Sequence, residues 1–249
     1  MVQESARRTS FSGPALVRLL SRLNNADIAE PVSSLSDRLS QWLGWSDAIA
    51  LGAALSNPAS ATPQATAELD EDQEYARVCK ALSDAIAAVN IPAPARHRGR
   101  QSSVAQQGQA VPMDAIEFST YRQRYISLQQ IMETRCTELR TRLRAVLAGR
   151  SPDMARLAAV DAVMEQAMNE REFSMLARVP VLLEAHFKRL KQAALEALAN
   201  EDELKHVPSG GAHAWLNVFH EDMQSVLFAE LDIRLQPAQG LLAALARRP

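Results

Sequence analysis

The chain has 249 residues and a formal net charge of −2. It is long enough to bury a core without disulfide or metal staples, and too near neutrality to imply a polyelectrolyte partner for the whole chain. Hydrophobic residues at 47% and charged residues at 22% exclude wholesale disorder. Alanine is abundant, at 42 residues. Nine glycines and 5% aromatics with few β-branched residues argue against a sheet, so an all-α fold is expected. Met1 to Gly13 shows no apolar signal-peptide core and reads as a disordered N-terminus. The apolar run Ala48 to Leu55 is far short of the ~20 residues that span a bilayer. Cys79 and Cys136 make no disulfide framework. A cytoplasmic protein without membrane insertion follows as the expectation.

Taken in chain order, Leu16, Leu19, Leu20 and Leu23 share one helical face behind Pro14. A second helix begins near Ser34 and carries Leu35, Leu39, Trp42 and Leu43. Gly44 interrupts it, and Ser46 is a candidate cap for a third helix over 47–55. Trp42 and Trp45 are expected in the core, with a partner-binding aromatic pair as the alternative reading. After a Pro-containing loop, a fourth helix runs from about Glu68 to Val89, acidic at its start as the helix dipole favours, with a stripe through Tyr75, Cys79, Leu82 and Ile86. Residues 91–112 combine prolines, glutamines and arginines with almost no large apolar residue and read as a disordered linker. This divides the chain into an N-terminal helical unit, 14–90, and a C-terminal helical unit, 113–246.

From Phe118 the apolar positions step by three and four through Tyr121, Tyr125, Leu128, Met132, Cys136, Leu139 and Leu143 to Val146. This is a coiled-coil-like seam with one stutter at Met132, which predicts a nearly straight helix. Ser151-Pro152-Asp153 starts the next helix, so the two form a long antiparallel hairpin. The return helix carries Met154, Leu157, Val160, Met164 and Met168, and Pro180 breaks it. A further segment to Ala199 turns Leu183, Phe187 and Leu190 inward. The last long helix runs from about Ala212 to Leu235. It carries an i,i+4 pair, Glu230 and Arg234, and Pro237 is expected to end it. At ~1.5 Å per residue, the helix over 113–148 is ~54 Å long, longer than the ~46 Å of a globule of this size. The hairpin tip is therefore expected to project.

No catalytic or metal motif survives inspection. His220-Glu221 lacks the second histidine of a zinc-protease helix, because Gln224 stands where it should be. The sevenfold spacing of His206, His213 and His220 is interrupted by Pro208 and Gly210-Gly211. Cys79 and Cys136 lie on apolar stripes and read as small buried hydrophobes. No enzyme activity, cofactor or metal is expected. The candidate partner-binding residues are Arg140, Arg142, Leu143, Arg144, Val146 and Leu147 at the hairpin tip, where apolar surface rimmed by arginine would suit a helical protein partner. A nucleic-acid-binding regulator is the alternative, using the Arg-rich linker and helix 113–148, since 96–150 holds ten basic and four acidic residues.

Two segments carry a family resemblance. Ser40-Gln41-Trp42-Leu43-Gly44-Trp45-Ser46-Asp47-Ala48-Ile49 and Ala229-Glu230-Leu231-Asp232-Ile233-Arg234-Leu235-Gln236-Pro237, in this order and near these ends, resemble a proteobacterial family filed as a domain of unknown function. The resemblance implies no activity and no catalytic residue. It does imply a place beside a cell-envelope complex for a helical interaction or scaffold protein.

Overall fold

The computed structural model describes residues 13–26, 34–56, 70–90, 116–201 and 214–247. The expected disordered N-terminus and the linker over 91–112 lie outside these residues, apart from Gly13. Among the described residues there are eight α-helices, one 3-10 turn and no strand: α1 (Ala15–Leu23), α2 (Leu35–Trp42), α3 (Trp45–Ser56), α4 (Glu71–Ala87), α5 (Phe118–Arg150), α6 (Pro152–Leu176), α7 (Val179–Glu201) and α8 (Ala214–Ala246).

Local chemistry sets the ends of these helices. Ser34 and Asp37 form a capping box at α2, each side chain satisfying the other's free backbone N–H. At α3 the cap is not Ser46: the Asp47 carboxylate reaches back to the Gly44 N–H at 2.9 Å. Asp70 caps α4. Ser151 accepts from the Met154 N–H at 3.3 Å with Pro152 at the first position of α6, so the chain reverses at once.

The hairpin of α5 and α6 is present, but a third long helix completes the seam. The α5 side of the core is Tyr125, Leu128, Met132, Cys136, Leu139, Leu143 and Leu147. These positions form two successive blocks of steps three, four and four. Such an eleven-residue period, about 3.67 residues per turn, favours a slight right-handed supercoil rather than the left-handed one of a heptad seam. The last buried residue is Leu147 rather than Val146, which is only half-buried. The large stripe read on α6 is not what α6 buries. Its buried residues in the hairpin are Ala155 and Ala158, while Leu157 is 40% exposed. α6 has α3 as well as α5 for a neighbour, so its apolar positions are divided between two contacts.

Helix α8 runs parallel to α5. Phe219 meets Phe118 and Tyr121 edge-on, and further along Glu230 meets Tyr125. Pro237 does not end this helix. α8 continues to Ala246 and buries Ala238 and Leu241, with Leu242 and Leu245 packed beside them. A proline inside a helix costs ~3 kcal/mol through the lost hydrogen bond and the ring's clash. Burying leucine side chains returns ~1.5–3 kcal/mol each, so core packing outweighs the local preference.

Of the helices before residue 90, α1 and α4 join the same core. Leu16 and Leu23 of α1, Leu82 and Ile86 of α4 and Val89 belong to one buried cluster with the α5 and α8 residues. α1 packs against α8 and α7, and α4 against α5 and α8.

Candidate interaction surface

The six residues expected at a projecting tip are not a tip surface. Leu143 and Leu147 are 1% and 0% exposed. They share one buried cluster with Ala238 and Leu241, which the continuation of α8 past Pro237 adds to the core. Arg140 donates to the Asp161 carboxylate of α6 at 2.7 and 2.8 Å. Arg144 donates to Asp161 at 3.1 Å and also to Glu165. Arg142 lies 3.8 Å from Glu74 of α4. Val146 is half-buried beside them. The basic face therefore meets acidic side chains of its own chain, binding α6 and α4 to α5. The two tyrosines near the arginines also face inward: Tyr125 is buried, and Tyr121 stacks among Phe187, Phe219 and His220.

A different surface stands open on α3. Its Asp47, Leu51 and Ala54, spaced by four and three, are half-buried, and α3 packs on α6. The rest of the helix faces out. Trp45 is 84% exposed, Ile49 58% and Leu55 53%, and Ala48, Gly52 and Ala53 are exposed between them. No charged residue lies on that outward face, since Asp47 is the helix's one ionisable group. A whole helical face of this kind differs from the singly scattered apolar residues normal on a protein surface. Gly52 adds a second feature. A glycine inside a helix costs ~0.5–1 kcal/mol relative to alanine, yet a Cβ at Gly52 would meet nothing within 4 Å. Nothing in the described chain requires the absence of a side chain there. Trp42, at the end of α2, is half-buried, with the Arg171 guanidinium 5.7 Å above its ring. The expectation that both tryptophans lie in the core therefore fails: Trp45 is exposed, and half-buried Trp42 is outside the buried cluster.

The other unusual polar arrangement is internal. Glu230 is 0% exposed. Its carboxylate accepts from the Tyr125 hydroxyl at 2.6 Å, from Gln129 Nε2 at 3.0 and 3.1 Å, and from Arg234 at 2.9 and 3.1 Å. Gln129 also donates to the Leu176 carbonyl at 3.2 Å, where α6 ends. Arg234 stands 3.6 Å from Glu172 of α6. Burial first, then the Glu230 charge and hydrogen bond, holds the Tyr125 hydroxyl well above its ordinary pKa. The carboxylate thus keeps its donors, and three helices are held in one register. The i,i+4 pair was legible in the sequence, its depth was not. The available signal was that Met223, Val226, Glu230 and Arg234 continue one inward stripe.

His186 and Asp222 bridge α7 and α8 at 2.8 Å. His220 packs against Tyr121 and Phe219. Among the described residues no group of three or more histidine, cysteine or acidic side chains could hold a metal; His206 and His213 lie outside them. No described helix is long and apolar enough to cross a membrane.

A family model described as "Protein of unknown function (DUF3348)" matches residues 1–247, and the chain belongs to that family. Neither the curated proteins nor the solved structures contain a match.

Proposed function

We propose that this family member is a non-enzymatic cytoplasmic interaction protein that docks an apolar helix of a second protein on the outward face of α3. The observation that carries this reading is the charge-free face of Trp45, Ile49 and Leu55, with Gly52 open between them. An uncharged face matches an uncharged partner face, since an acidic or basic side chain would lose hydration there without a counter-ion. Small residues at Ala48, Gly52 and Ala53 leave room for another helix to approach closely, while Trp45 and Ile49 supply the large anchors that dominate binding energy. The ion pairing of Arg140, Arg142 and Arg144 within the chain favours α3 over the arginine-rich hairpin as the contact.

The test is affinity purification of the full chain from its native cells, with wild type beside Ile49→Glu and Gly52→Leu. Both positions are exposed, so circular dichroism and melting temperature should stay unchanged. A stoichiometric protein partner lost in both variants is the expected result. A partner retained at full recovery by both folded variants would overturn the assignment. So would a wild-type chain whose α3-dependent association is only with itself, read from its molar mass in solution.

A further inference from the structure

A cavity of about 930 Å³ opens between α5 and α7, with no α3 residue in its wall. The two helices meet where Phe187 packs on Phe118 and Tyr121, ring centroids 5.6 and 5.8 Å apart, and where Lys191 Nζ donates to the Ile116 carbonyl at 3.0 Å. Beside these contacts Arg122, Ile126 and Gln130 line the cavity from α5. Spaced by four, they share one side of the helix. Ile126 is half-buried, yet it is not among the apolar residues that pack against the core. With Ile116, Phe118 and Phe187 it gives the cavity an apolar floor. The rest of the lining is charged or polar. Arg122, Lys188 and Lys191 stand against Glu117 and Glu184, an excess of one positive charge. Glu184 is engaged by Lys188 at 2.7 Å, and Glu117 accepts from the Ser119 hydroxyl at 3.3 Å. Arg122 is exposed and has no ion-pair or hydrogen-bond partner among the described residues. A second cavity of about 240 Å³ shares Arg122, Ile126 and Gln130 with the first and carries the apolar path on to Leu176, Ala177 and Pro180. Phe173, 63% exposed, stands in its wall. The lining turns polar again at Glu133 and Arg234.

We propose that this groove binds a single-chain anionic amphiphile, a fatty carboxylate or a monoalkyl phosphate. The Arg122 guanidinium takes the head group, because its paired N–H donors match two oxygens of a carboxylate or phosphate. Lys188 and Lys191 keep that end of the groove positive. The tail lies on Ile126 and follows Leu176, Ala177 and Pro180 towards Phe173. There it takes its own methylenes and the exposed apolar side chains out of water together. From Phe118 to Gln130 is ~18 Å of helix, so the first cavity is an elongated trough. Its volume lies within the ~300–1,000 Å³ of small-molecule sites. A cationic amphiphile would meet Arg122 as a like charge, and an uncharged chain of the same length would forgo the ion pair. The groove shares no residue with the α3 face.

The test titrates the folded full chain with dodecanoate below its critical micelle concentration by isothermal calorimetry, beside dodecyl phosphate, dodecanol and dodecyltrimethylammonium. The expected result is saturable binding of one anion per chain, with dodecanol and the cation weaker by roughly tenfold or more; the tighter of the two anions names the head group. Affinity should rise by up to about fourfold per methylene from octanoate to dodecanoate, as burial of each CH₂ implies. Arg122→Glu and Phe173→Ser alter exposed side chains, so the melting temperature should hold. Arg122→Glu should weaken dodecanoate by roughly tenfold and leave dodecanol unchanged, while Phe173→Ser should cut the gain from the last methylenes. Ile49→Glu on α3 should bind as wild type does. Equal affinity for dodecanoate and dodecyltrimethylammonium would overturn the proposal, as would an affinity unchanged in both groove variants. Binding lost in Ile49→Glu would also overturn it, by placing the tail on α3. So would a protein from native cells that both groove variants shed while the wild type binds neither anion, which would make the groove a protein-docking face.

Discussion

Removing the Glu230 carboxylate should expose how much of this fold hangs on one buried ion pair. In Glu230→Leu, the Arg234 guanidinium loses the partner it now bonds at 2.9 and 3.1 Å, keeping only Glu172 at 3.6 Å. Leaving a buried charge uncompensated costs ~3–5 kcal/mol. The Tyr125 hydroxyl, in a residue 1% exposed, also loses its acceptor, worth ~1–3 kcal/mol. Gln129 retains the Leu176 carbonyl and adds little. Arg234→Met leaves the opposite charge, a carboxylate at 0% exposure held by two neutral donors, and should cost about as much as the loss of Glu230. The double variant Glu230→Leu/Arg234→Met has no stranded charge. Its cost should fall to the ~1–3 kcal/mol of the orphaned hydroxyl. Urea unfolding followed by far-ultraviolet circular dichroism gives all three values, and the cycle should show a coupling of about 3 kcal/mol or more between the residues. Additive single costs, or a Glu230→Leu loss below about 1 kcal/mol, would refute the picture of a desolvated carboxylate tying α5, α6 and α8 together.

Two further predictions concern stability. Leu147→Ala should cost ~2–5 kcal/mol, because a buried leucine loses transfer energy and leaves a cavity, while half-buried Val146→Ala should cost about 1 kcal/mol or less; equal costs in chemical denaturation would mean that the seam does not end at Leu147. Burial, then the nearby Arg124 charge, lowers the pKa of His220 below its ordinary 6.5, so the folded state holds this ring neutral. The unfolded state takes up the proton first as pH falls, and the stability His220 contributes is present above about 6.5 and lost progressively toward its lower folded value. His220→Gln should therefore show a smaller fall in melting temperature between about pH 7.5 and pH 5 than wild type, and an identical fall would remove His220 from the account.

The features legible in the sequence were those set by neighbours along the chain. The capping of α6 by Ser151 and Pro152, the acidic start of α4 and the apolar period of α5 each depend on residues within a turn or two. Chain-local rules failed where two elements compete for one surface. Pro237 reads as a helix end because its own lost hydrogen bond is local, whereas the burial of Leu241 beside the α5 seam is not. The same competition buried Leu143 and Leu147 and paired Arg140 and Arg144 with α6, removing the expected binding tip. An apolar residue in sequence reports that it favours burial, not whether another helix arrives to bury it, and Trp45 and Ile49 of α3 are the case in which none does among the described residues. Only the tertiary structure could decide that the Glu230 and Arg234 pair lies in the core. Periodicity assigns each residue to a face of its helix, while the register between helices is set by the sum of many weak side-chain contacts that no single segment contains.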